Sequence, residues 1–334
     1  MEDIVGNMLK SHNKLVTRAK KLVASMLLVA CTLTLSACDY WVVMNPSGDV
    51  AKQEAWLILI STFLMLIVIV PVIIMTVWFA WHYRASNKQA HYDPEWSHSS
   101  TLEIIIWSMP LAIILVLSGI TFVATHRLDP YSEIRRIAPD VPLPENAKTL
   151  VIEAVALDWK WLFLYPEEGV ATVNEIAAPL DTQIQFKITS GSVMNSFYIP
   201  ALAGQIYAMA GMETKLHAVI NEPGTFHGFS ANYSGHGFSD MHFKFHGMEE
   251  ADYDAWLAKL RSEGSSLGSA EFLALEKKSM AHPVTYYSTV EDGLYHGILN
   301  LCVKPDQVCM DELMRHDKER VGAGEMTMDS HQGH

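Results

Sequence analysis

A chain of 334 residues, half of them apolar and carrying a formal net charge of −13, is long enough for one sizeable domain and leaves apolar residues over for membrane spans. The acidic balance excludes a nucleic-acid partner, which would need a basic face to displace counterions from phosphates. At the N-terminus Lys10, Lys14, Arg18, Lys20 and Lys21 precede an uncharged run over residues 22–37, the layout of a secretory signal. Residues 55–81 and 104–125 contain no charged residue, and each run meets the requirement of about 20 residues for crossing a bilayer. They predict a two-helix transmembrane hairpin, kinked at Pro71 and Pro110 and belted by Trp56, Trp78, Trp81 and Trp107. The positive-inside rule is nearly silent, because Arg84 and Lys88 between the spans face Arg127, Arg135 and Arg136 after them.

The first run ends Leu35-Ser36-Ala37-Cys38, which resembles the lipobox of bacterial lipoproteins. That resemblance implies a signal peptide over residues 1–37 and a diacylated Cys38 held in membrane lipid. Asp39 resembles the inner-membrane retention signal of that family. The alternative is an ordinary first transmembrane helix with an incidental cysteine. A lipidated Cys38 lies outside the cytoplasm, so residues 38–54 are periplasmic, 82–103 form a cytoplasmic loop, and everything after 126 is periplasmic again. Cys31 leaves with the signal. Cys302 and Cys309 remain, and in an oxidising compartment they are either a disulfide or two free thiols.

Pro139, Pro142 and Pro144 mark residues 126–147 as a linker. Beyond it, residues 149–157, 160–165, 171–176, 183–189, 205–210, 214–220 and 241–245 are rich in β-branched or aromatic residues and separated by Pro, Gly, Asn or Asp. Seven short strands at this spacing predict a β-sandwich or barrel over residues 148–248. After Gly247, Tyr253, Trp256, Leu257 and Leu260 recur at helical spacing, and Phe272, Leu273 and Leu275 suggest a second short helix. Residues 249–300 thus read as an aromatic-rich arm lying against the domain or a partner, with Tyr286, Tyr287 and Tyr295 continuing the bias. Residues 301–334 form a tail whose end, from 326, is polar and small and is expected to lack fixed structure.

This order resembles subunit II of the bacterial haem-copper oxidases, specifically of the cytochrome bo-type ubiquinol oxidases. Four stretches carry the likeness: Ala80-Trp-His-Tyr-Arg-Ala-Ser-Asn-Lys88, Asp158-Trp-Lys-Trp161, Val193-Met-Asn-Ser-Phe197 and Gln205-Ile-Tyr-Ala-Met-Ala-Gly-Met212. The resemblance implies a membrane-anchored all-β protein, in which a two-helix hairpin precedes a periplasmic cupredoxin-like sandwich with a short helical arm. It implies a multi-pass, lipid-anchored place in the bacterial inner membrane, and oxidase subunits I, III and IV as partners. Quinol would be the complex's substrate, with the haems and a copper ion in subunit I and no cofactor in this chain.

In the sister family, subunit II of cytochrome c oxidase, a loop of the form C-x-E-x-C-G-x-x-H-x-x-M and one earlier histidine hold two coppers that accept electrons from cytochrome c. Here the loop positions read Ser230, Asn232, Ser234, Gly235, Phe238 and Met241, and the earlier position is Asn195. Both thiolates and both imidazoles are missing, so the donor set is too poor in soft ligands for two coppers. The resemblance then implies no traffic with cytochrome c. Trp159 and Trp161 correspond to an electron-entry segment in that sister family, and here they read as packing. His227, His236, His242 and His246 crowd the same region, as a solvated strand face or as a different metal site. Glu103 opens the second span, either as a solvated carboxylate favourable to the helix dipole or, by the resemblance, as a group beside a proton-uptake channel of subunit I. A contrasting reading is a membrane-anchored periplasmic cupredoxin-like protein that binds copper through His and Met.

Overall fold

The computed structural model describes residues 41–91, 93–138, 141–144 and 147–329, excepting the side chains of 321–329. The signal segment, Cys31, Cys38, Asp39 and residues 330–334 lie outside the described residues.

Two long helices come first, α1 (Asp49–His82) and α2 (Ser100–Arg127), with Pro71 and Pro110 inside them. Both are long and apolar enough to cross a membrane. They overrun the uncharged segments at both ends. For α1 the reason is visible: Asp49, Val50, Ala51 and Ala55 are buried, so its first turns belong to the β-domain. Ser47 and Gly48 donate backbone hydrogen bonds to Ala201, each at 2.9 Å. Gly48 forms a β-bridge with Ile220, and a β-carbon there would sit 2.9 Å from the Val219 carbonyl oxygen. Asp49 is fully buried; its Oδ2 accepts from Arg136 Nε at 2.8 Å and Gln53 Nε2 at 2.9 Å. A buried carboxylate needs such partners, because desolvating it alone is costly.

After a small ladder, β1 (Arg136–Ala138) with β2 (Val141–Pro142), the chain builds two sheets. Their strands are β3 (Leu150–Leu157), β4 (Lys160–Tyr165), β5 (Val170–Val173), β6 (Glu175–Pro179), β7 (Gln183–Ser190), β8 (Asn195–Tyr198), β9 (Ile206–Ala208), β10 (Thr214–Val219), β11 (Gly224–Ser230) and β12 (His242–Met248). The arm adds α3 (Glu250–Glu263), β13 (Ser265–Leu267), α4 (Ser269–Leu275), β14 (Thr285–Val290) and α5 (Leu294–Leu299), and the tail adds α6 (Met310–Asp329). One sheet runs β10-β7-β3-β4-β5-β14-β13 and the other β6-β12-β11-β8-β9.

Three differences from the sequence reading have physical causes. The run 171–176 is two strands in two sheets, because Asn174 adopts a left-handed φ of 60° and turns the chain from one sheet to the other; asparagine tolerates that region. β11 escaped detection because its glycines, Gly224 and Gly228, hide a strand; a β-carbon at Gly228 would strike the Phe243 ring. The arm does more than lie on the domain, since Thr285, Tyr286 and Tyr287 pair with Val173, Thr172 and Ala171. The tail also differs. Residues 326–329 continue helix α6, whose exposed surface carries spaced charges such as Glu312 with Arg315 and Asp317 with Arg320 that support a helix.

Between the sheets Trp161, Phe163, Phe186, Phe197, Phe243 and Phe245 form the aromatic core. On the other face of the seven-stranded sheet, Val155, Leu157, Leu162, Leu164 and Val173 meet Leu267, Phe272, Leu275, Leu294 and Ile298 of the arm. Glu175 ties the arm to both sheets. Its Oε1 accepts from Trp256 Nε1 of α3 at 3.2 Å and from the Tyr286 hydroxyl of β14 at 3.1 Å, with His246 Nε2 of β12 at 3.8 Å. Those donors hold its carboxyl down at about 2, below the usual carboxylate range, against the opposing effect of burial. Because the folded value is depressed, the stabilisation is present above the unfolded value near 4.5 and is lost as pH falls toward 2. Glu175→Gln is expected to cost about 1–3 kcal/mol at pH 7, and the difference from the parent should shrink as pH drops below 4.5, measured by denaturant unfolding of the full chain in detergent.

Candidate functional site

Three segments converge at one end of the sandwich: the β7–β8 loop, the β3–β4 turn and the β11–β12 loop, which includes a single 3₁₀ turn at Phe238–Asp240. Asn195 starts β8 with no exposure and Ser230 ends β11 at 2%. The Ser230 hydroxyl donates to Asn195 Oδ1 at 2.9 Å, and Asn195 Nδ2 donates to the Val193 carbonyl at 3.0 Å. Asn232 Nδ2 donates to the Met194 carbonyl at 3.2 Å. Met241 is buried in the main core, and its carbonyl accepts from the Ser230 amide at 3.2 Å.

The far side of the loop is closed by Trp159. Its indole N–H donates to the Ser234 carbonyl at 3.1 Å, and its ring lies over Gly235 and Gly237, where a β-carbon would meet ring atoms at 3.2 and 2.5 Å. Gly235 also has a φ of 118°, which a residue with a side chain rarely adopts. The Ser234 hydroxyl is buried without a partner among the described residues. Phe238 packs edge-on to Tyr233 with ring centres 5.6 Å apart.

Beneath Trp159 lies the fully buried Lys160. Its ammonium donates to the Lys277 carbonyl at 2.8 Å, the Ser279 hydroxyl at 2.7 Å and the Asp158 carbonyl at 3.1 Å. Burial pushes it below the usual lysine value, with the Asp158 charge opposing. Asp158 in turn accepts from Ser192 at 2.7 Å and faces Lys278 at 3.3 Å. Sequence reasoning missed this network, because two of the three acceptors, the Lys277 carbonyl and the Ser279 hydroxyl, lie more than a hundred residues along the chain from Lys160.

The structure therefore gathers Asn195, Ser230 and Asn232 into one set of neutral hydrogen bonds, with Met241 beside them and Ser234 and Phe238 turned to other contacts. Amides, hydroxyls and one thioether do not fit a dicopper centre, which needs thiolates and imidazoles. Trp161 is fully buried in the aromatic core. Of the histidines, His246 is bonded to Thr225 at 2.9 Å, while the rings of His227 and His242 lie 5.2 Å apart. Among the described residues no three His, Cys, Asp or Glu side chains come together to hold an ion. Glu103 is exposed in the first turn of α2, 2.8 Å from His98 Nδ1. Cys302 and Cys309 are bonded through sulfur, with Cα atoms 4.8 Å apart, and tie the end of α5 to the start of α6.

Residues 168–247 match the family described as the periplasmic domain of cytochrome c oxidase subunit II, and residues 261–306 match its aromatic-rich motif. The chain is 52% identical over 268 residues to the cytochrome bo(3) ubiquinol oxidase subunit 2 of Pseudomonas putida, covering 80% of this chain and 82% of that one. The chain belongs to the ubiquinol oxidase subunit 2 family. A second member, from Acetobacter aceti, is 46% identical over 287 residues, 86% of this chain and 89% of its own. Among solved structures, the periplasmic domain of subunit II of cytochrome oxidase from Bradyrhizobium japonicum aligns with 22% identity and a TM-score of 0.31, covering 32% of this chain and 89% of that one.

In this member of the subunit 2 family, the Asn195–Ser230 hydrogen bond is expected to behave as a coupled pair. Asn195→Ala and Ser230→Ala each strand a buried polar atom and should each cost about 1–3 kcal/mol. The double variant should cost less than the sum by roughly 1 kcal/mol, read from a double-mutant cycle of unfolding free energies.

Proposed function

We propose that this chain is the second subunit of a proton-pumping quinol oxidase in a bacterial inner membrane, and that electrons reach the complex without passing through it. The observation that carries this reading is the loop at Ser230–Met241, where neutral hydrogen bonds and the Trp159 ring occupy the place of soft metal donors. Such a loop offers no site for single electrons from a cytochrome c. Quinol oxidation and the reduction of dioxygen would then fall to a partner, subunit I, carrying the haems and a copper; four electrons from two quinols reduce one dioxygen to two waters. This chain's own residues would anchor and position: the hairpin within the bilayer, the sandwich and arm on the periplasmic side, alongside subunits I, III and IV. Lipidation of Cys38 would add a second hold on the membrane, and two crossings would make the anchor multi-pass.

Solubilising the membrane gently and isolating the complex through this chain should bring down haem and quinol-driven oxygen uptake, with no acceleration by reduced cytochrome c. A haem-free preparation, or one that oxidises cytochrome c, overturns the reading. The contrasting copper-carrier reading predicts tightly held copper in the chain itself after washing with chelator.

We infer a role for Glu103 at a proton entrance; an exposed carboxylate at the start of α2, 2.8 Å from His98 Nδ1, supports this reading. Replacing it by glutamine is expected to lower turnover and the rate of proton uptake several-fold while leaving the haem spectrum and complex yield unchanged, whereas unaltered uptake in Glu103→Gln would assign the residue to surface solvation alone.

A further inference from the structure

We propose that His227 and His242 form a two-imidazole site for a divalent transition-metal ion, Cu(II) ahead of Zn(II), on the outer face of the five-stranded sheet. The pairing of β11 with β12 sets Phe229 opposite His242 and His227 opposite Lys244. The two histidines are therefore diagonal neighbours on one face, a separation that long side chains bridge. Their ring centres are 5.2 Å apart and their planes differ by 32°. Two imidazoles bound to one ion at metal–nitrogen distances of about 2 Å have ring centres about 4.5 Å apart as neighbours in a tetragonal site and about 5 Å apart in a tetrahedral one. The observed spacing thus needs little rearrangement to hold an ion.

Both side chains are exposed on paired strands, so the ligands are reachable while their backbone is fixed. His246, on the same face, is committed to Thr225 and to Glu175. By contrast, no hydrogen bond or ion pair engages the rings of His227 or His242 among the described residues. Phe229 stands edge-on to the His242 ring at 6.3 Å and walls off one side. No third protein donor joins them among the described residues, so water completes the coordination and the ion exchanges. Lys244 opposite His227 opposes a cation and weakens the site. It favours the metal with the strongest preference for neutral imidazole, which is Cu(II). This site is separate from the neutral loop and does not rest on the oxidase reading.

The test uses the full-length chain purified in detergent, with His316, His331 and His334 changed to glutamine so that the tail contributes no imidazoles. After chelator treatment it is titrated with Cu(II) alone and followed by electron paramagnetic resonance, and with Zn(II) alone by equilibrium dialysis. The expected result is one added Cu(II) with a two-nitrogen equatorial pattern, and weaker Zn(II) binding at the same stoichiometry. His227→Ala and His242→Ala, both exposed substitutions that spare the core, should each weaken binding roughly tenfold or more. Lys244→Ala should tighten it about threefold by removing a nearby cation. Equal copper uptake by the parent and both histidine variants, or a signal without nitrogen coupling, overturns the proposal.

Discussion

Where β3, β4 and β5 run, the seven-stranded sheet is apolar on both faces, and that constraint organises the rest of the molecule. β4 is buried at every position from Lys160 to Tyr165, and β3 is buried on both sides over its last residues. A sheet of this kind cannot present either face to water. The five-stranded sheet covers one side with an aromatic core. The other side has to be covered by the arm, which is why α4 and α5 carry Phe272, Leu275, Leu294 and Ile298 to it and why β14 adds itself to the sheet edge. The arm is therefore a structural layer of the domain, and the family's separate match to an aromatic-rich motif describes part of one folded unit.

The same constraint explains what the amino-acid sequence revealed and what it hid. The two long apolar helices were legible because an uncharged run of that length has few other uses. Most strands were legible from β-branched and aromatic content, yet their assignment to sheets was not: with both faces buried, the alternation that normally marks inside and outside disappears, as in Leu162, Phe163 and Leu164. The sheet change at Asn174 needs one left-handed residue, which no window average registers. β11 was hidden by glycines whose purpose, clearance for Phe243, exists only across strands. At the site, the side chains of Asn195, Ser230, Ser234 and Phe238 could be read directly as poor donors for a soft metal. Their packing could not, because Trp159 over Gly235 and Gly237 and Lys160 against Lys277 and Ser279 are long-range contacts.

The loop between β11 and β12 has to be held in place. Here the work passes to hydrogen bonds and to shape: Ser230 and Asn195 satisfy each other in the core, and the Trp159 indole covers the glycines. Lys160 fastens the neighbouring arm segment through two oxygen acceptors, the Lys277 carbonyl and the Ser279 hydroxyl, while the paired sulfurs of Cys302 and Cys309 tie the arm's end to the tail. Each is a hydrogen-bonded, packed or covalent contact that fixes the geometry of the domain.

The join at Gly48 and Asp49 has a mechanical meaning. Helix α1 leaves the sandwich straight from a β-bridge, its first turn already buried and its carboxylate clasped by Arg136, so there is no slack between membrane helix and periplasmic domain. Such a join transmits torque. The azimuth of α1 in the bilayer, set by whatever helices it packs against, fixes the compass bearing of the sandwich above it and so determines which flank is presented to a neighbour.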